Sequence, residues 1–215
     1  MTTLLDPLLI AALALNFFAL GVSRISAVIS AVALQGILLG FLPLFIHAEI
    51  DVRVFLLIGV TVALKGFIIP SFLTHAMREA DIQHEVNPTI GFMGSLFLGA
   101  VGTGLALVFA HSLPVPEMHR LVHRLVIPAS LATVWTGFLL FTTRKKAIMQ
   151  VLGYLVLENG IFLFGLLLLE AMPFLVEIGA LLDLFTGVFV MGIIIHHINR
   201  EFATTSTEKL TDLKD

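Results

Sequence analysis

Three ionisable residues sit inside long apolar stretches, and together they could handle a proton. Lys65 lies in Val60-Thr61-Val62-Ala63-Leu64-Lys65-Gly66-Phe67-Ile68-Ile69-Pro70. Glu158 lies in Gly153-Tyr154-Leu155-Val156-Leu157-Glu158-Asn159-Gly160, and Asp183 in Gly179-Ala180-Leu181-Leu182-Asp183-Leu184-Phe185-Thr186. Burial disfavours the charged form of a carboxylate and a neighbouring ammonium favours it. A carboxylate poised between those two influences can take up and release protons, and a lysine can bias it. An ionisable side chain at the centre of a bilayer costs at least ~2.5–3.5 kcal/mol on insertion scales, so its presence there points first to function. Buried structural pairing, for instance of Lys65 with Glu158, is the competing reading, because structural ion pairs shift protonation as well.

Those residues need helices to position them. Of the 215 residues, 58% are of the hydrophobic set and 13% are charged, against about 45–50% and about 25% in soluble domains. The mean hydropathy is +1.05. One soluble core of this size could not hide so much apolar surface. The composition excludes a soluble enzyme, a nucleic-acid binder and a disordered tail, and the net charge of −3 offers no basic field for nucleic acid. There is no cysteine, which removes thiolate iron–sulfur ligation and cysteine nucleophiles from this chain. No Lys or Arg precedes the first apolar run, so that run is read as retained rather than as a cleaved signal.

A helix needs about 20 apolar residues to cross the hydrocarbon layer and satisfies its own backbone while doing so. The runs predict an all-α polytopic transmembrane bundle of seven spans, at about 4–22, 25–47, 54–77, 90–111, 121–142, 147–169 and 173–197. Residues 1–200 form one transmembrane domain on this reading, and 201–215 a polar cytoplasmic tail. Lys65 is twelve residues past Arg53, Glu158 twelve past Lys146 and Asp183 ten past Pro173. At ~1.5 Å per residue all three reach the region of the midplane. A turn of about three residues joins the last two spans, so Glu158 and Asp183 are expected at similar heights. Gly160, Gly165, Gly179, Gly187 and Gly192 permit close approach of those two spans.

Orientation follows from the short loops. Eight cations (Arg24, Arg78, Arg144, Lys145, Lys146, Arg200, Lys209 and Lys214) fall on one side and three (Arg53, Arg120 and Arg124) on the other, with Lys65 inside a span. The N-terminus is therefore expected outside and the C-terminus in the cytoplasm, in a cell inner membrane.

Other polar residues carry less. Pro70 should kink or break the third span, lacking an N–H and clashing with the preceding turn. Asn16 and Gln35 are expected to make interhelical hydrogen bonds. His196 and His197, at the cytoplasmic end of the seventh span, are a possible relay between Asp183 and the cytoplasm, or interfacial residues beside Arg200. Glu170 and Glu177 bracket the outer turn. His119 and His123 have the i, i+4 spacing that binds metals on one helical face, but no acidic third ligand accompanies them, and no metal is assigned. Trp135 and Tyr154 are read as packing or interface residues.

The stretch Gln150-Val151-Leu152-Gly153-Tyr154-Leu155-Val156-Leu157-Glu158-Asn159-Gly160-Ile161-Phe162-Leu163 resembles component E of hydrogenase-4 type complexes, the membrane-arm subunits of formate hydrogenlyase and related group 4 hydrogenases. Leu64-Lys65-Gly66-Phe67-Ile68-Ile69-Pro70, Arg78 and Glu85-Val86-Asn87-Pro88 resemble the same family. Residues 121–200 also resemble the K subunit of respiratory complex I, three spans with the N-terminus outside and a midplane Glu in each of the last two. Glu158 matches the first of these. Asp183 stands near the second, as Asp and at shorter spacing, and the Asn that follows the first Glu is adjacent here, as Asn159. The resemblance implies a non-catalytic membrane subunit that contributes Glu158, Asp183 and Lys65 to proton or sodium translocation. Nickel–iron and iron–sulfur centres would sit on partner subunits, with antiporter-like membrane subunits alongside. An autonomous secondary transporter and a purely structural adaptor of the membrane arm are the alternatives.

Overall fold

The computed structural model describes residues 5–46, 52–79, 88–112 and 125–166. All regular structure among them is helical: α1 (Leu5–Gly21), α2 (Ile25–Gly40), α3 (Pro43–Ile46), α4 (Val52–Thr61), a π-helical stretch (Val62–Ile68), α5 (Ile69–Glu79), α6 (Phe92–Ser112), α7 (Val126–Thr143) and α8 (Ala147–Gly165). Five continuous helical segments, Ile25–Phe45, Ile58–Arg78, Phe92–Ser112, Val126–Thr143 and Ala147–Gly165, are long and apolar enough to cross a membrane, and α1 is a shorter apolar helix. The chain is a polytopic helical bundle. The seventh expected span, 173–197, lies outside the described residues.

Pro70 does not break its span. α4, the π stretch and α5 follow one another without interruption from Val52 to Glu79. In a straight α-helix the proline ring would strike the carbonyl four residues back, which is that of Gly66. A wider turn relieves this clash, and the wide turn lies immediately ahead of the proline. Its last bond is the five-residue one from the Ile69 N–H to the Leu64 carbonyl. Residue 70, having no N–H, cannot donate to the carbonyl of Lys65.

Helix pairs inside a membrane gain little from hiding apolar surface, because lipid is as apolar as leucine; close packing and hydrogen bonds must hold them. The most intimate pair is the antiparallel hairpin of α7 and α8. Gly160 makes that closeness possible: a Cβ there would lie 2.6 Å from the Val134 amide nitrogen and 2.9 Å from the Ser130 carbonyl. Gly137 against Leu157 and Gly153 against Phe141 repeat the arrangement along the same seam. Gly160 thus admits the fifth expected span rather than the seventh.

Two apolar clusters stack along the bundle. One gathers Leu20, Ile25, Val28, Ile29, Leu73, Leu140, Leu152 and Val156 with their neighbours. The other gathers Leu5, Leu9, Leu39, Leu42, Val126, Ala129 and Leu163. On every helix that joins both clusters, a buried polar residue falls between them: Asn16 on α1, Gln35 on α2, Thr133 on α7, Asn159 on α8. The outward faces are apolar, with Met93, Phe97, Leu105 and Val108 of α6 exposed among the described residues, as a lipid-facing or partner-facing helix requires.

Candidate functional site: a buried polar layer at mid-bundle

Lys65 and Glu158 meet inside the bundle. The Lys65 Nζ lies 3.4 Å from Glu158 Oε1, with both side chains 4% exposed. The lysine comes from the middle of the π stretch and the carboxylate from α8, 93 positions later. Gly36 on α2 makes room for the lysine, since a Cβ at that position would stand 2.8 Å from the Lys65 Cβ. The Phe162 ring, one turn after Glu158, lies under the ammonium at 5.3 Å from its centroid, where the negative ring face attracts a cation.

The ammonium is also the head of a hydrogen-bonded chain. Lys65 Nζ donates to Asn159 Oδ1 at 3.2 Å. Asn159 Nδ2 donates to Gln35 Oε1 at 3.2 Å. Gln35 Nε2 donates to Asn16 Oδ1 at 2.8 Å and to the Ala12 carbonyl at 3.2 Å. Asn16 Nδ2 donates to Thr133 Oγ1 at 2.9 Å, and that hydroxyl donates to the Ala129 carbonyl at 2.7 Å. Five helical elements (the π stretch, α8, α2, α1 and α7) are thereby laced across the bundle at one level. Asn16 and Gln35, expected only to bridge helices, are members of the same chain as Lys65. Asn159 and Thr133 were not singled out by type; Asn159 carried a signal in its place beside Glu158.

A cavity of about 10 Å³ adjoins Lys65 and Asn159, walled by Ile29, Val32, Ile69, Pro70, Leu73, Leu152 and Leu155. That is close to the least space that holds one water. Its apolar wall residues lie toward the helix ends bearing Arg24, Arg78 and Arg144. A carboxylate, an ammonium and space for about one water thus lie together inside the bundle.

Arg144, read from the sequence as a loop cation, is buried at 1% exposure. Its Nη2 donates to the Leu20 carbonyl at 2.5 Å, and its guanidinium stacks on Phe92 at 4.7 Å from the ring centroid. A cation suits this place, because the ends of α1 and α7 both present carbonyls there. Gln150 Nε2 donates to the Arg144 carbonyl at 3.0 Å and the Thr89 N–H to the Thr143 carbonyl at 2.9 Å, so this corner ties four helix ends together. Trp135 packs against Gly102 and donates to the Leu98 carbonyl at 3.0 Å. Among the described residues no group of three or more His, Asp or Glu could hold a metal ion. Asp183, His196, His197, Glu170, Glu177, His119 and His123 lie outside the described residues.

The bundle and the ion pair buried within it define a polytopic helical membrane protein with a charged centre. The chain belongs to the same family as "Uncharacterized protein Rv0085" of Mycobacterium tuberculosis, with which it is 33% identical over 192 residues, 88% of this chain and 86% of that one. It is also similar, more distantly, to "Hydrogenase-4 component E" of Escherichia coli K12 and of Shigella flexneri, at 27% identity over 150 residues, 70% of this chain and 68% of each relative. No family model and no solved structure matches it.

Proposed function

We propose that the chain is a non-catalytic subunit in the inner-membrane arm of a hydrogenase-type, complex I-like assembly. Its Lys65–Glu158 pair serves proton or sodium translocation coupled to electron transfer elsewhere in the complex. The observation that carries this reading is the ammonium–carboxylate contact of 3.4 Å, buried midway along apolar helices. Such a pair is costly to place in a membrane and is a weak source of stability, which favours a role beyond packing. The similarity to hydrogenase-4 component E supports the choice of assembly. Partner subunits would carry the nickel–iron and iron–sulfur centres, and antiporter-like membrane subunits would lie alongside. Asp183 would be a second ion site, with His196 and His197 a relay to the cytoplasm, and the seven-span arrangement with the N-terminus outside belongs to the same proposal.

Mass spectrometry of what co-purifies with the tagged chain in mild detergent tests this. Stoichiometric recovery of a nickel–iron-type large subunit and antiporter-like membrane subunits is the expected result. A stable, monodisperse chain recovered alone would overturn the reading in favour of an autonomous transporter.

A further inference from the structure

We infer that Gln35 is a positioning residue for Lys65: it fixes the direction of the amide chain so that Asn159 presents an oxygen to the ammonium. This inference rests on the proposed role of the Lys65–Glu158 pair for its functional consequence, and on the geometry alone for its structural one.

The direction of the chain is set independently at both ends. A backbone carbonyl only accepts, so the Gln35 group facing Ala12 must be the NH₂, at 3.2 Å. That turns Gln35 Oε1 toward Asn159. A lysine ammonium only donates, so the Asn159 group facing Lys65 must be the oxygen. That turns Asn159 Nδ2 toward Gln35. The two requirements agree, and every donor in the chain points away from Lys65 toward the Ala129 carbonyl. Were Gln35 reversed, its NH₂ would face the Asn159 NH₂, and the Ala12 carbonyl would face an oxygen. Without Gln35, the Asn159 Nδ2 loses its acceptor, and the ammonium alone is left to hold the Asn159 oxygen in place.

The same chemistry limits what the chain can carry. Carboxamides neither gain nor lose protons in the physiological range, so the arm from Asn159 to Asn16 holds the lysine without offering a titratable step toward α1 and α7. Among the described residues, Glu158 and the water-sized cavity beside Lys65 and Asn159 are what the pair offers for proton exchange.

The test uses the full chain, labelled with ¹⁵Nζ-lysine and reconstituted in lipid bilayers, with the Lys65 signal assigned through Lys65→Met. Gln35→Met, similar in size but without the amide, is expected to move the Lys65 ammonium resonance. Asn16→Leu, one link further out, moves it less in the same sense and serves if Gln35→Met does not fold. Ile25→Ala, which alters only packing at the start of α2, ten residues before Gln35, leaves the resonance in place. An unmoved signal in Gln35→Met and Asn16→Leu, or an equal move in Ile25→Ala, overturns the inference. In the whole complex, Gln35→Met is expected to lower coupled ion translocation about fivefold, the scale of one buried hydrogen bond between neutral groups. A moved resonance with translocation untouched in both Gln35→Met and Glu158→Gln would uphold the positioning and overturn the proposed function instead.

Discussion

Separating Lys65 from Glu158 should expose how strongly the two are coupled. At 3.4 Å and an effective dielectric of ~20, their attraction is about 5 kcal/mol. Removing one partner of a buried pair costs about 3–5 kcal/mol, because the other charge stays buried without it, whereas replacing both is often neutral. In Glu158→Gln the ammonium keeps Asn159 Oδ1 and the Phe162 ring, so the lower end, about 3 kcal/mol, is expected. Lys65→Met removes the ammonium from both Glu158 and Asn159 and should cost about 4 kcal/mol. The double variant Lys65→Met/Glu158→Gln should cost less than the sum of the singles by at least about 2–3 kcal/mol, and by more the closer the double comes to neutral. Unfolding of the purified chain by denaturant titration in bicelles, run as a double-mutant cycle, measures this. Additivity of the two single changes to within ~0.5 kcal/mol would refute the pairing as an energetic unit.

Three further outcomes follow from the packing. Gly36→Ala places a methyl 2.8 Å from the Lys65 Cβ, so the lysine must shift and the coupling energy from the same cycle should fall in that background. Arg144→Ala removes a charged donor from the Leu20 carbonyl and the stack on Phe92; it should destabilise the chain by about 2–3 kcal/mol, with Arg144→Lys recovering only part because an ammonium cannot stack as a guanidinium does. Gly160→Ala drives a Cβ into the Val134 backbone and should cost about 1–3 kcal/mol by overpacking, seen as a lower midpoint in the same titration.

The helical class was legible because apolar runs of membrane length are a composition signal that needs no tertiary knowledge. The candidate charges were legible for the same reason: an ion in such a run stands out wherever the helix goes. The polar chain was not. Gln35 and Asn159 are 124 positions apart, and which helices touch is decided by packing that a linear pattern does not encode. Asn16, Gln35 and Thr133 are single neutral residues of a kind common in membrane helices. The tight α7–α8 seam left a trace in Gly153 and Gly160, seven residues apart on one face, but the partner helix could not be read from it, and Gly160 was expected to face the wrong neighbour. Pro70 was recognised as a disturbance, yet its effect is a widened turn around Lys65 rather than a break, because a π turn removes the clash while the span stays continuous. Arg144 looked like one more loop cation. Its burial depends on the end of α1 arriving beside it, which no local pattern states.

The most direct test of the account is coupled ion translocation by the intact complex carrying Glu158→Gln, reconstituted in liposomes and compared with its electron-transfer rate. The expected result is an assembled complex in which electrons still flow and the coupled ion movement is lost. Undiminished translocation in that variant would contradict it.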